Sequence, residues 1–125
     1  MAVRLECTLE EVIERVDRLK PNPYTSEQKT EWINKVEGML QTDALDIPAH
    51  QIKILDWETD KETELLAKLP HSDVYDHYLF SMIDYMNSDI ESYNNSMTMF
   101  NTMYNMAVKS MRKSNPAHTH FKNWW

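Results

Sequence analysis

A single glycine, Gly38, occurs in 125 residues, against the ~7% usual in globular chains. That scarcity argues against turn-rich all-β folds and against a glycine-rich loop able to cradle a phosphate. The single cysteine, Cys7, excludes an internal disulfide, and no apolar run approaches the ~18 residues needed to span a bilayer. The opening residues MAVRLECTLEEV lack the apolar stretch of a signal peptide, so a reducing intracellular compartment is expected. Positive charge is also scarce, and it is unevenly placed. Residues 1–108 hold 20 acidic and 9 basic side chains, a balance of -11, whereas residues 109–125 hold Lys109, Arg112, Lys113 and Lys122 with no acid. A body of that charge repels phosphate, since non-specific DNA affinity comes from Lys and Arg neutralising it.

Signatures of chemistry are thin as well. His50, His71, His77, His118 and His120 keep no spacing typical of a closed metal site, and Cys7 is remote from them in sequence. No carboxylate dyad, Ser/His/Asp constellation or phosphate loop stands out. The expectation is therefore a protein that is not an enzyme and takes neither metal nor cofactor.

What the chain does have is helical periodicity. Thr8 followed by Glu11 is a capping box, and Leu9, Val12, Ile13, Val16 and Leu19 then recur at helical spacing up to Pro21. The PNPY connector is short and rigid, because proline pushes the residue before it out of the helical region. Thr25 and Gln28 repeat the start signal, and Trp32, Ile33, Val36 and Leu40 form a second stripe that fades near Asp43. Gly38 lies within it, at a cost of about 1 kcal/mol relative to alanine. Either a neighbouring backbone passes close there or the position tolerates the loss. From Pro48 the pattern changes. A β-hairpin is expected, Gln51 to Trp57 against Glu64 to Leu69, with a short helix from Asp60 to Leu69, capped by Thr59 and Glu62, as the competing reading.

The strongest signal follows. Tyr75, Leu79, Met82, Met86, Ile90, Tyr93, Met97, Phe100, Tyr104, Ala107 and Met111 succeed one another at steps of three and four. They predict one long helix of about 55 to 60 Å, at most bent at Asn87, where Asn87, Ser88 and Glu91 offer an internal cap; a split there is the alternative. From Ser92 to Val108 this helix carries no charged residue. On a helical wheel Tyr93, Met97, Phe100, Tyr104 and Met111 share one line, and Met99, Met103 and Met106 share an adjoining one. The apolar arc is then about half the circumference, wider than the ~100° needed to sit on one core. Asn94, Thr98, Asn101 and Asn105 complete the circle with groups that can enter a contact without desolvating a charge. Contact centres are poor in charge and rich in methionine and tyrosine, so the interface residues expected are Tyr93, Met97, Met99, Phe100, Met103, Tyr104 and Met106. The bland alternative is a helix running through the core of a monomer. The chain closes on Trp124 and Trp125, and Lys109, Arg112, Lys113, Lys122, Trp124 and Trp125 read as a docking tail. Its expected target is protein, with DNA as the competing target and folding back on its own subunit as the simpler alternative.

The expected architecture is thus mainly α. Antiparallel helices with one long C-terminal helix and a small hairpin form a single domain over 1–115, followed by a basic, Trp-ended tail over 116–125. The order TLEEVIERVDRLKPNPYTSEQKTEWINKVEGML, then ETELLAKLPHSDVYDHYLFSMIDYMNSDIESYNNSMTMFNTMY, then an SNP-containing basic tail resembles small proteins from the head-morphogenesis modules of tailed phages and prophages of Gram-positive bacteria. The LKPN turn, the SDVYDHYL entry into the long helix and ESYNNSMTMFN carry the likeness, and the chain departs in its shortened region between Leu40 and His50 and in its methionine content. The resemblance implies a head-to-tail connector, or head-completion adaptor. Such a subunit is structural, self-associates as a ring on the portal, and partners portal and tail-completion proteins. DNA passes through the ring without specific binding, no membrane is involved, and the protein resides in the host cytoplasm before it enters the virion. A small helical dimeric regulatory or scaffold-binding protein is the alternative, and a nucleic-acid-handling factor using the basic tail is a third.

Overall fold

The computed structural model describes residues 7–114. Four helices follow in order: α1 (Leu9–Leu19), α2 (Ser26–Asp43), α3 (Val74–Met86) and α4 (Ile90–Ser114). Both caps read from the sequence are made. The Glu11 N–H donates to Thr8 Oγ1 at 3.2 Å and the Gln28 N–H to Thr25 Oγ1 at 3.1 Å, each satisfying a helix-end donor that has no partner within its own helix. The PNPY connector is held by Asn22, whose amide donates to Asp17 Oδ1 at 3.0 Å and to the Lys20 carbonyl at 3.1 Å. The buried Lys29 ammonium closes the cluster on Asp17 at 2.5 Å and on Asn22 at 3.0 Å.

Gly38 sits in the middle of α2, and a Cβ built on it would meet nothing closer than Ile52 Cγ2 at 3.8 Å, an ordinary contact. No backbone crowds it, so the position tolerates glycine and does not require it. Gly38→Ala is expected to stabilise the fold by about 0.5–1 kcal/mol, read as a higher urea midpoint at unchanged slope. A lower midpoint would show that the site resists a methyl group.

The expected hairpin does not form. Residues 52–69 run as irregular chain with turns, after a single 3-10 turn at Ala49–Gln51, and no sheet occurs among the described residues. The competing helix from Asp60 to Leu69 is absent too. The reason is where the backbone groups find partners. Asn34 on α2 exchanges two bonds with Leu55, donating to its carbonyl at 2.9 Å and accepting from its N–H at 2.8 Å. About two turns along the same face, Gln41 does the same with Lys53, at 3.0 and 2.9 Å. Two side-chain amides seven residues apart thus stand in for a neighbouring strand. The second segment is claimed elsewhere: Thr63 and Lys61 carbonyls accept from the first N–H groups of α1, Leu9 at 3.2 Å and Glu10 at 3.0 Å, and the Leu65 N–H donates to Cys7 at 2.7 Å. With both segments committed to helices, an isolated bridge between Thr8 and Glu64 is all the β pairing among the described residues.

The long helix is also split where the internal cap was read. Asn87–Asp89 form a tight turn in which Ser88 takes a left-handed φ of 60°, and Asp89 caps α4 by accepting from the Ser92 N–H at 3.1 Å. These hydrogen bonds hold the Asp89 carboxyl below its ordinary range. Tyr85 then meets Tyr93 with ring centroids 5.6 Å apart, and Tyr78 meets Phe100 at 5.1 Å, a register that makes α3 and α4 antiparallel. The continuous stripe of the sequence folds back on itself, each half burying the other, which a 55 Å rod of one subunit could not do. The core so formed joins Leu9, Val12, Ile13 and Val16 of α1, Ile33, Val36 and Leu40 of α2, Val74, Tyr75, Leu79 and Ile83 of α3 and Phe100, Tyr104 and Ala107 of α4.

Candidate functional site

Helix α4 has two unlike sides. Phe100, Tyr104 and Ala107 are buried, and Tyr93 and Met97 are half-buried along the same line. The Tyr104 hydroxyl donates to the Asp43 carboxylate, and Arg112 Nε donates to the Asp43 carbonyl at 2.8 Å. Burial, with the Asp43 carboxylate beside it, pushes the Tyr104 phenol well above its ordinary range. The C-terminal half of α4 is therefore pinned to the end of α2, where a carbonyl lacks a partner within its helix. Arg112, read as part of a docking tail, is engaged within its own chain. Lys109 and Lys113 are exposed on the last turns of α4, while Lys122, Trp124 and Trp125 lie outside the described residues.

The methionine line divides. At 100° per residue Met103 lies about 40° nearer the core line than Met99, and it packs against the core as a half-buried side chain. Met99 and Met106 are each 49% exposed. Of the seven interface residues expected, Phe100 and Tyr104 are core, Tyr93, Met97 and Met103 flank it, and Met99 and Met106 face outward. Around these two, Asn94, Asn95, Thr98, Asn101, Thr102 and Asn105 are exposed. The face is less polar than its sequence suggests. Thr98 Oγ1 donates to the Asn94 carbonyl at 2.9 Å and Thr102 Oγ1 to the Thr98 carbonyl at 3.1 Å, so both hydroxyls are spent on the helix and their methyl groups remain as surface. The result is about 25 Å of exposed helix with methyl, thioether and amide groups and no charge, in a chain whose net charge is -7.

A second polar cluster escaped the reading of the sequence. Glu37 is 5% exposed and Tyr75 fully buried. The Tyr75 hydroxyl donates to Glu37 Oε1 and accepts from the Ala67 N–H at 2.8 Å, while Glu37 Oε2 accepts from the Leu66 N–H at 3.1 Å. Burial raises the Glu37 carboxyl above its ordinary range, with both hydrogen bonds working against that rise. Burial likewise raises the Tyr75 phenol. The signal was available: Glu37 stands at the spacing of Ile33 and Leu40 on the apolar stripe of α2. Its partners anchor the 65–67 segment, which makes the cluster a fastening of the fold. Cys7 is buried and its thiol is raised by that burial, the opposite of an activated nucleophile.

Among the described residues, no group of three or more His, Cys, Asp or Glu is placed to hold a metal ion, and no helix is long and apolar enough to cross a membrane. No family model matches the chain, and comparison with curated proteins and with solved structures finds no relative.

Proposed function

We propose that this protein is a non-catalytic assembly subunit, and specifically a head-to-tail connector subunit of a tailed phage or prophage that forms a ring on the portal. The observation carrying the assembly reading is the uncharged outer face of α4. One side of the helix is occupied by its own core, so the opposite side is open to another chain. A contact there desolvates amides and thioethers without stranding a charge. The phage setting rests on the resemblance of the LKPN, SDVYDHYL and ESYNNSMTMFN segments. A ring needs a heterologous contact, one patch meeting a different patch on the next subunit. An acidic wall around a channel lets DNA phosphates pass without sticking, and portal and tail-completion proteins are the partners at either end.

The double variant Met99→Glu/Met106→Glu tests the face. Both side chains are half exposed in the isolated chain, so circular dichroism and urea stability should stay within about 1 kcal/mol of wild type. Assembly, followed by sedimentation and electron microscopy with and without portal protein, should need about 100-fold more protein or fail, because each carboxylate would be desolvated without a partner at the contact. Met103→Glu should instead destabilise the subunit itself. Wild-type assembly by the double variant would overturn the reading. A closed two-fold dimer in place of a ring would overturn the connector in favour of a dimeric regulator. The setting has its own test in gene order: portal, terminase and major capsid genes are expected beside this one, and a position away from any such module would remove it.

A further inference from the structure

Charge is missing from more of α4 than a single contact needs. At about 100° per residue, Met99 and Met106 lie on one flank of the exposed side, and Asn94, Thr98, Asn101 and Asn105 lie on the other, about 120° around the helix. The direction midway between the flanks, where Thr102 stands, points away from the buried line of Phe100, Tyr104 and Ala107. Exposed charge returns at Glu91 and Lys109, at the two ends of this stretch and about 27 Å apart. A two-fold contact that paired the methionine flank with itself would need only that flank to be free of charge. It would leave the amide flank in water, where a charged side chain is well solvated.

We infer that α4 packs in parallel against α4 of a second copy on each side, the methionine flank of one subunit meeting the Asn/Thr flank of the next. This names the second patch of the heterologous contact, and it rests on the assembly reading above. A second copy is the matching occupant because, among the described helices, α4 alone offers a long uncharged exposed side. Helices α1 and α2 expose Glu14, Arg18, Glu27, Glu31 and Lys35, and the exposed residues of α3, Tyr85 and Met86, lie at its last turn. The two flanks also fit each other chemically. Thioether side chains adapt to an uneven surface, and Thr98 presents its methyl group because its hydroxyl is bound to the Asn94 carbonyl. Exposed amides can bond to one another or to trapped water at the contact. With the flanks about 120° apart, neighbouring helices roughly 8–10 Å away on either side do not collide. Rotation about a ring axis repeats the same contact from subunit to subunit with the helices running the same way.

Engineered cysteines test the pairing. Met106→Cys and Asn105→Cys stand at nearly the same height on opposite flanks, as do Met99→Cys and Thr98→Cys, and the native Cys7 is buried. The variants are prepared separately, mixed in equal amounts, assembled with portal protein as for wild type, oxidised and resolved by non-reducing electrophoresis. Met106→Cys with Asn105→Cys, and Met99→Cys with Thr98→Cys, should each give at least about tenfold more cross-linked dimer than any variant alone, because a disulfide demands close approach of the two Cβ atoms. Independently, Asn101→Glu/Asn105→Glu should keep its circular dichroism and raise the concentration needed for assembly about 100-fold. Cross-linking of Met99→Cys or Met106→Cys with itself would overturn the inference in favour of a two-fold pair. The crossed mixtures, Met106→Cys with Thr98→Cys and Met99→Cys with Asn105→Cys, would overturn it if they cross-linked best, since that marks antiparallel helices. Assembled mixtures without any cross-link, or wild-type assembly by Asn101→Glu/Asn105→Glu, would give α4 a different occupant and overturn the inference while the assembly reading stands. A wild-type chain that does not assemble, with or without portal protein, overturns both.

Discussion

Tyr75→Phe is expected to cost about 3 kcal/mol of stability, a drop in melting temperature of about 10 °C for a domain of this size. The ring remains and fits, so no cavity opens. What is lost is one oxygen with two duties. The buried Ala67 N–H loses its acceptor at 2.8 Å, and Glu37 loses a donor. The deficit should also depend on pH, and the sign follows from the carboxyl. Burial raises the folded-state pKa of Glu37 above its ordinary 4.5, so the folded chain holds that proton more tightly than the unfolded one. The contribution of the group is greatest at low pH and falls as pH rises through the window above about 4.5. The Tyr75 hydrogen bond works against the rise, and its removal extends the window upward. Tyr75→Phe should therefore be less damaging at pH 4 than at pH 7, while Glu37→Gln, which cannot ionise, should flatten the pH dependence. Urea titrations across this range decide it. An equal deficit at both ends would mean that Glu37 and Tyr75 are not coupled.

Arg15→Met is the second large effect, about 2 kcal/mol at neutral pH. Arg15 grips Asp76 with two parallel bonds, Nε to Oδ2 at 2.7 Å and a terminal nitrogen to Oδ1 at 2.6 Å. Asp76 is 6% exposed, and breaking a fully buried pair by removing one partner costs about 3–5 kcal/mol, because a charge is left without a partner. The figure here is smaller because Arg15 is 30% exposed and water can partly replace it. Methionine preserves the apolar stem, so the loss reports the charge. Arg15→Lys should recover only part of the stability, since an ammonium cannot form the two-pronged fork. Adding Asp76→Asn to Arg15→Met should recover most of it. If the double variant is as unstable as the single one, the side chain matters through packing and the ion-pair account fails.

Different kinds of information separate what was legible from what was not. Thr8 with Glu11 and Thr25 with Gln28 announced helix starts because a cap is a local event, complete within four residues. An internal cap near Asn87 was legible for the same reason, but a long helix bent there was the favoured reading; the chain splits instead, and the residue that caps α4 is Asp89. The 51–69 region was misread because β-branched and aromatic residues among polar ones describe an exposed, extended chain without saying what its backbone bonds to. Asn34, Gln41 and Glu37 supply those bonds from α2, and nothing in their spacing distinguishes an amide that solvates a helix surface from one that replaces a strand.

By itself, the sequence determined the helical class, the caps, the apolar stripes and the absence of charge from Ser92 to Val108, since each follows from periodicity, composition or a contact within one turn. Tertiary structure alone decided the rest. It turned one long stripe into two antiparallel helices, because burying each half against the other needs no second chain. It also assigned Met103 inward and Met99 and Met106 outward, a difference of about 40° to 60° around α4 that acquires meaning only once α3 defines which side is the core.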